Sequence, residues 1–185
     1  MPNLLSHNWT FWYDKTDLKI CGKNWDQFLI KIYSFNTIEN FFRLGNSILS
    51  LTNLPSGSNY HFFKTGIEPK WEDPENIEGG RWVFSASKNH RSKIEKIWEK
   101  TIFEIITNRF SIFGANAIKG LVGSARMNEI RISIWTADAS DKNNQISIGK
   151  YWKNIIGEHL ITNNVSLIFF SNVPSQLKTK KKFRH

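Results

Sequence analysis

The chain is nearly without cysteine. Cys21 is the only one in 185 residues, so no internal disulfide can form, and too few histidines lie near it to build a zinc site. That usage fits a reducing, intracellular compartment, and Cys21 itself reads as a strand-end residue without chemistry. No apolar run approaches the roughly 18 residues of a membrane span. The opening residues Met1 to His7 lack a basic region followed by an apolar stretch, so no signal peptide is expected. Internal repeats are absent, and low complexity is confined to the lysine-rich end. No Gly-rich phosphate cradle, Ser-His-Asp set or Cys/His cluster is present. The carboxylates Glu68, Glu72, Asp73, Glu75 and Glu78 are broken up by prolines and glycines, which denies them helical metal-ligand spacing. His61, in Tyr60-His61-Phe62, reads as a strand residue rather than a general base. No catalytic set and no cofactor are therefore expected.

Acidic residues are also scarce. Sixteen of them face 25 lysines and arginines, a net charge of +9, which points to a polyanionic partner. Part of the excess lies in the tail from Lys178 to His185, which on its own reads as a solvated end. What the chain has in surplus is aromatic residues, with eight tryptophans and fourteen phenylalanines. Each indole must be core, interface or ligand platform. A basic chain with surplus indoles has the composition of a protein that stacks bases and neutralises phosphates.

The length predicts one domain, organised as a short N-terminal segment (residues 1–7), a body (8–170) and a basic C-terminal segment (171–185). Alternating and β-branched or aromatic runs predict strands near residues 8–14, 28–35, 60–64, 81–87, 118–127, 129–137 and 165–170. Helical spacing predicts three helices: from Thr37, as N-cap, to Leu49; over 91–107; and over 145–156. A tight turn at Met127-Asn128 joins neighbouring strands. The fold class is therefore α+β, a mostly antiparallel sheet with helices on one face and the other face open.

Two stretches show what the open face carries. Along Ile130-Arg131-Ile132-Ser133-Ile134-Trp135-Thr136 the isoleucines point one way, and Arg131, Ser133 and Trp135 the other. Ser124 and Arg126 share a face on the preceding strand, so a hairpin brings Arg126 near Arg131. Like charges side by side are unfavourable unless an anion sits between them. Taken alone, two solvated surface arginines are the simpler reading. The second stretch is Gly66-Ile67-Glu68-Pro69-Lys70-Trp71-Glu72-Asp73-Pro74, a loop with prolines on both sides of Trp71. A stiffly held indole beside a carboxylate can stack a purine while the carboxylate accepts the N1–H and N2–H edge of guanine. A lone Trp-Glu pair, however, is more often a surface loop folded back on the core. Trp25, in Gly22-Lys23-Asn24-Trp25-Asp26, poses the same choice in a polar turn.

Together these pieces resemble the cap-binding eukaryotic translation initiation factor 4E family over nearly the full chain. The matching stretches are Trp9-Thr10-Phe11-Trp12, Lys23-Asn24-Trp25, Phe35-Asn36-Thr37-Ile38-Glu39-Asn40-Phe41-Phe42, Gly66 to Asp73, Gly79-Gly80-Arg81-Trp82 and Ile134-Trp135-Thr136. The resemblance implies a curved antiparallel sheet with three helices on its convex back and a cap slot on the concave side. It further implies that Trp25 and Trp71 sandwich 7-methylguanine, Glu72 takes its Watson–Crick edge and the Trp71 N–H meets O6. Trp135 would lie against the N7-methyl group. Arg126 and Arg131 would hold the triphosphate, with Arg81 in support. The partner implied is the mRNA 5′ cap, and the role is recruitment of mRNA to the translation initiation machinery; the location implied for the protein is the cytoplasm, or also the nucleus.

The family's second site is a patch on the helical back that binds the 4G-type scaffold and 4E-binding repressors. The resemblance places Ile38, Phe42 and Trp98 there. This chain departs from the family pattern at Phe42, where tryptophan is usual, at Glu99, where leucine is usual, and at Asn3-Leu4-Leu5, which lacks the usual His-Pro-Leu. These departures keep an alternative in view: a cap-binding paralogue that represses translation because its scaffold contact is weak.

Overall fold

The computed structural model describes residues 1–15, 28–160 and 165–173. Cys21 and Trp25 lie outside the described residues, as do the basic residues after Val173. Seven strands form one sheet: β1 (Leu4–Lys15), β2 (Ile30–Thr37), β3 (Ser58–Lys64), β4 (Gly80–Ser87), β5 (Ile118–Ala125), β6 (Glu129–Thr136) and β7 (Leu167–Ser171). Their order is β2-β1-β3-β5-β6-β4-β7, and every strand pairing among the described residues is antiparallel. Three helices cover the convex face: α1 (Ile38–Gly45), α2 (Arg91–Ile106) and α3 (Lys142–Leu160). The expected α+β class and helix count hold.

Alternation decides which face is which. Ile130, Ile132 and Ile134 of β6 are fully buried and share one core with Ile94, Ile97, Ile102 and Ile105 of α2 and Ile148, Trp152 and Ile155 of α3. Each such aliphatic burial contributes about 1.5–3 kcal/mol. Trp152 Nε1 donates to Thr101 Oγ1 at 3.0 Å, so the indole that fills the gap between α2 and α3 also has its polar atom met. Gly149 lets α3 come close to the sheet, since a Cβ there would meet Trp82 Cζ2 at 2.8 Å.

Some boundaries move. β1 starts at Leu4, so residues 4–7 belong to the sheet rather than to a separate leading segment; Leu4 pairs with Thr37, and Asn3 donates to the Glu39 carboxylate. Thr37 caps α1 as expected, its Oγ1 accepting from Asn40 N at 3.2 Å, a contribution of about 1 kcal/mol. The helix stops at Gly45 instead of Leu49, because Gly45-Asn46-Ser47 are poor helix formers and Ser47 N closes on Leu44 O. α3 begins at Lys142 instead of residue 145, because Asp141 Oδ1 accepts from Asn144 N at 3.0 Å and starts the helix earlier.

Candidate functional site

The concave face holds a cavity of about 620 Å³. Val122 and Trp135 of its lining belong to a second apolar cluster, separate from the main core, that also contains Phe63 and Ile67. Phe63 meets Trp135 edge-on, with centroids 5.5 Å apart and planes at 71°. Arg81 faces Trp135 in the β4–β6 register. Its guanidinium carbon lies 5.5 Å from the Trp135 ring and 5.5 Å from the Phe170 ring, a cation–π position. Burial pulls the Arg81 pKa below its ordinary value, but arginine stays charged at any relevant pH.

The two-faced strand has its expected geometry. Arg131, Ser133 and Trp135 line the cavity, as do Ser124 and Arg126. The β5–β6 turn closes with Arg126 N donating to Glu129 O at 2.9 Å. Arg126 and Arg131 share the site closely enough that, after burial, Arg131 is the main influence lowering the Arg126 pKa, while Asp14 and Glu129 oppose it. The two guanidinium groups are held differently. Arg131 is half-exposed and paired with Glu129 of its own strand, Nε to Oε1 at 2.6 Å. Arg126 donates Nη1 to Ala125 O and Nη2 to Asn59 Oδ1, each at 3.0 Å.

Trp71 stands at the cavity rim on an unusually well-tied loop and is 51% exposed. The ties come from two buried residues, Asp73 and Asn76. Asp73 accepts from Glu68 N at 2.8 Å and Glu75 N at 2.9 Å. Asn76 Nδ2 donates to Glu68 O and Lys70 O, and Asn172 Nδ2 donates to Asn76 O, which ties the loop to the end of β7. Lys70 is paired with Glu68. Glu72 is exposed next to Trp71 and is not among the residues lining the cavity.

Asp73→Ala should destabilise the fold by about 1–3 kcal/mol, because two N–H groups lose a charged acceptor. Denaturant unfolding measures the loss. Amide exchange at Glu68 and Glu75 should accelerate above the rest of the chain; unchanged exchange there would remove Asp73 as the pin.

The structure thus brings Trp71, Arg81, Arg126, Arg131 and Trp135 to one cavity. The expected placement of Trp98 is corrected. It is 4% exposed, and its ring and Leu51 close over Gly123, so its side chain belongs to the core and not to an accessible back patch. Ile38 is half-buried, and Phe42 is 53% exposed. Asp14 and Asn59, which the sequence did not single out, and His61, read there as a strand residue, also line the cavity. Strand alternation carried the signal: Asn59, His61 and Phe63 share one face of β3, opposite Tyr60 and Phe62.

Fold and site together define a one-sheet binding protein whose concave slot offers an exposed indole at the rim and arginines along the wall. The chain belongs to the Eukaryotic initiation factor 4E family, whose model matches residues 4–185. Among relatives, the Eukaryotic translation initiation factor isoform 4E of Nicotiana tabacum is 37% identical over 161 residues, covering 87% of this chain and 78% of that protein. The Eukaryotic translation initiation factor 4E-1 of Oryza sativa subsp. japonica is 39% identical over 155 residues, covering 84% of this chain and 66% of that one. Among solved structures, Ascaris suum eIF4E-3 with m7G cap superposes with a TM-score of 0.86 at 30% identity, covering 100% of this chain and 99% of that one. The complex of C. elegans eIF4E-3 with the 4E-binding protein Mextli and cap analog gives 0.85 at 30% identity, covering 98% and 99%.

Proposed function

We propose that the slot binds the 7-methylguanosine cap of mRNA, and that the protein acts in translation initiation as a binding factor rather than an enzyme. The observation that carries the reading is one cavity with Trp71 at its rim, Trp135 on its floor and Arg81, Arg126 and Arg131 on its walls. In this reading Trp71 stacks on one face of the base and Trp25 on the other. Glu72 takes N1–H and N2–H after the loop settles on the ligand, and the Trp71 N–H meets O6. Trp135 borders the methyl group. Arg126 and Arg131 hold the phosphates, with Arg81 in support. Family membership and cap complexes of similar proteins support the assignment.

N7 methylation makes the base a cation. Between indole faces that adds about 0.5–2 kcal/mol to ordinary stacking of about 1–3 kcal/mol per base. The cation also makes N1–H and N2–H stronger donors to an ionised Glu72. Since about 1.4 kcal/mol is tenfold, 7-methylguanosine triphosphate should bind on the order of a hundredfold tighter than GTP. Tryptophan fluorescence titration measures the ratio. Equal affinities would point to a general single-strand RNA binder instead.

In the same proposal a 4E-binding partner docks on the helical back, where Phe42 leaves an exposed ring at the surface of α1 and Ile38 is half-buried beside it. Glu99, also exposed, puts a carboxylate on the same side of the sheet and favours a weakened scaffold contact, the basis of the repressor alternative. Binding of a 4G-type peptide distinguishes recruiter from repressor. The proposed compartment is the cytoplasm, where translation takes place.

A further inference from the structure

Arg126 follows β5 directly, and its guanidinium is tied at both Nη atoms. Nη1 donates to Ala125 O and Nη2 to Asn59 Oδ1, each at 3.0 Å. Both acceptors are themselves fixed. Ala125 O also accepts from Gly57 N at 2.8 Å, just ahead of β3. Asn59 of β3 lies opposite Ser124 of β5, is 7% exposed, and donates Nδ2 to Asp14 Oδ1 at 2.7 Å. The Asn59 amide has one workable orientation. Turned over, it would set its oxygen against the Asp14 carboxylate and its NH2 against the guanidinium, acceptor facing acceptor and donor facing donor.

These ties leave Arg126 ready for a ligand. A guanidinium carries five N–H donors, and the two bonds above leave three of them over. Asn59, Arg126 and Arg131 line the same cavity. Arg131 works against the pose: after burial it is the main influence lowering the Arg126 pKa, so the two like charges push each other apart. An untied arginine would swing away, and ordering it again when a ligand arrives would cost rotamer freedom. The two arginines are also restrained by different chemistry. Arg131 is held by the Glu129 carboxylate, which offsets its charge. Asn59 is neutral, so it aims Arg126 without offsetting the charge.

We propose that Asn59 is a positioning residue for phosphate recognition: its amide holds the Arg126 guanidinium in the pose that receives the phosphate chain, and so sets how strongly the slot prefers a phosphorylated ligand to a nucleoside. What Asn59 supplies is orientation, prepared before binding. Arg126 as phosphate anchor is the part of the proposed function on which this rests; methylation of the base plays no part in it.

The test compares 7-methylguanosine triphosphate with the nucleoside 7-methylguanosine, which carries no phosphate. In Asn59→Ala, affinity for the triphosphate should fall about three- to tenfold, because a loosened side chain must be ordered on binding. Affinity for the nucleoside should stay at the wild-type level. The slope of log affinity against log salt should also stay, since the cation is still present; Arg126→Ala, which removes it, flattens the slope. In an Arg126→Ala background, Asn59→Ala should add no further loss, because the group it positions is gone. A second readout uses the unaltered protein. Nitrogen-resolved NMR of the ligand-free wild type should show separate Nη1 and Nη2 signals for Arg126, as expected of a guanidinium bonded at both.

Wild-type affinity of Asn59→Ala for the triphosphate, an equal loss with the nucleoside, a flattened salt slope, the same loss with and without Arg126, or merged Nη signals in the free protein overturns the inference and leaves Arg126 as the anchor. An Arg126→Ala protein that keeps wild-type affinity for the triphosphate overturns the anchor itself, and this inference with it. Should circular dichroism melting show that Asn59→Ala does not fold, the Nη signals of the wild type decide: separate signals support the tie, and merged signals overturn it.

Discussion

Replacing Trp71 by alanine is expected to remove most of the affinity for 7-methylguanosine triphosphate without unfolding the protein. The loss is the stacking of one base face, about 1–3 kcal/mol, plus the cation–π share, about 0.5–2 kcal/mol. Together that is a weakening of roughly tenfold to several thousandfold, by the rule of about 1.4 kcal/mol per decade. The fold should persist because the loop does not depend on this ring. Trp71 is half in solvent; what fixes the loop is the pair Asp73 and Asn76, with the buried Pro69. Calorimetric titration measures the affinity, and circular dichroism melting checks the fold. Affinity within twofold of wild type would refute the sandwich. A collapsed melting transition would instead show that the ring supports the loop.

Arg126→Ala is expected to be nearly as damaging, by a different route. A cation held by Asn59 and Ala125 carbonyls is already aimed, so little side-chain freedom is lost when phosphate arrives. Its removal forfeits the phosphate contact and also leaves Asn59 Oδ1 without its guanidinium donor. Losing a hydrogen bond to a charged group of this kind costs about 1.5–3 kcal/mol. The slope of log affinity against log salt should flatten by about 0.7–1, as one fewer counterion is released. Arg131→Ala should do less. Its side chain is 50% exposed and paired with Glu129, and exposed pairs are worth about 0–1 kcal/mol. Equal losses from both substitutions, or an unchanged salt slope in Arg126→Ala, would take Arg126 out of the phosphate site.

Much of this site is legible in the sequence alone. Period-two alternation in residues 130–136 was enough to put Arg131 and Trp135 on one face and the isoleucines on the other, since a strand offers no other arrangement. Proline on both sides of Trp71 was enough to make its segment a loop. Trp98 shows the limit: the resemblance put it on the back patch, helical spacing does not say whether a residue faces sheet or solvent, and α2 turns this indole onto the sheet. His61 was read as a strand residue, which it is, but its neighbour Asp14 lies 47 positions away and only strand pairing brings them together.

The amino-acid sequence by itself determined the strands, the three helices, the polarity of each face and the residue types that a charged, flat, phosphorylated ligand requires. Local periodicity and backbone sterics act over a few residues and leave a readable trace. Only the tertiary structure decided which carboxylate meets which cation, that Asp73 and Asn76 brace the Trp71 loop, and that Arg126 is tied through Asn59 to a buried Asp14 and His61. Those partners come from different strands and loops, and their pairing depends on the sheet register, which no short stretch of sequence encodes.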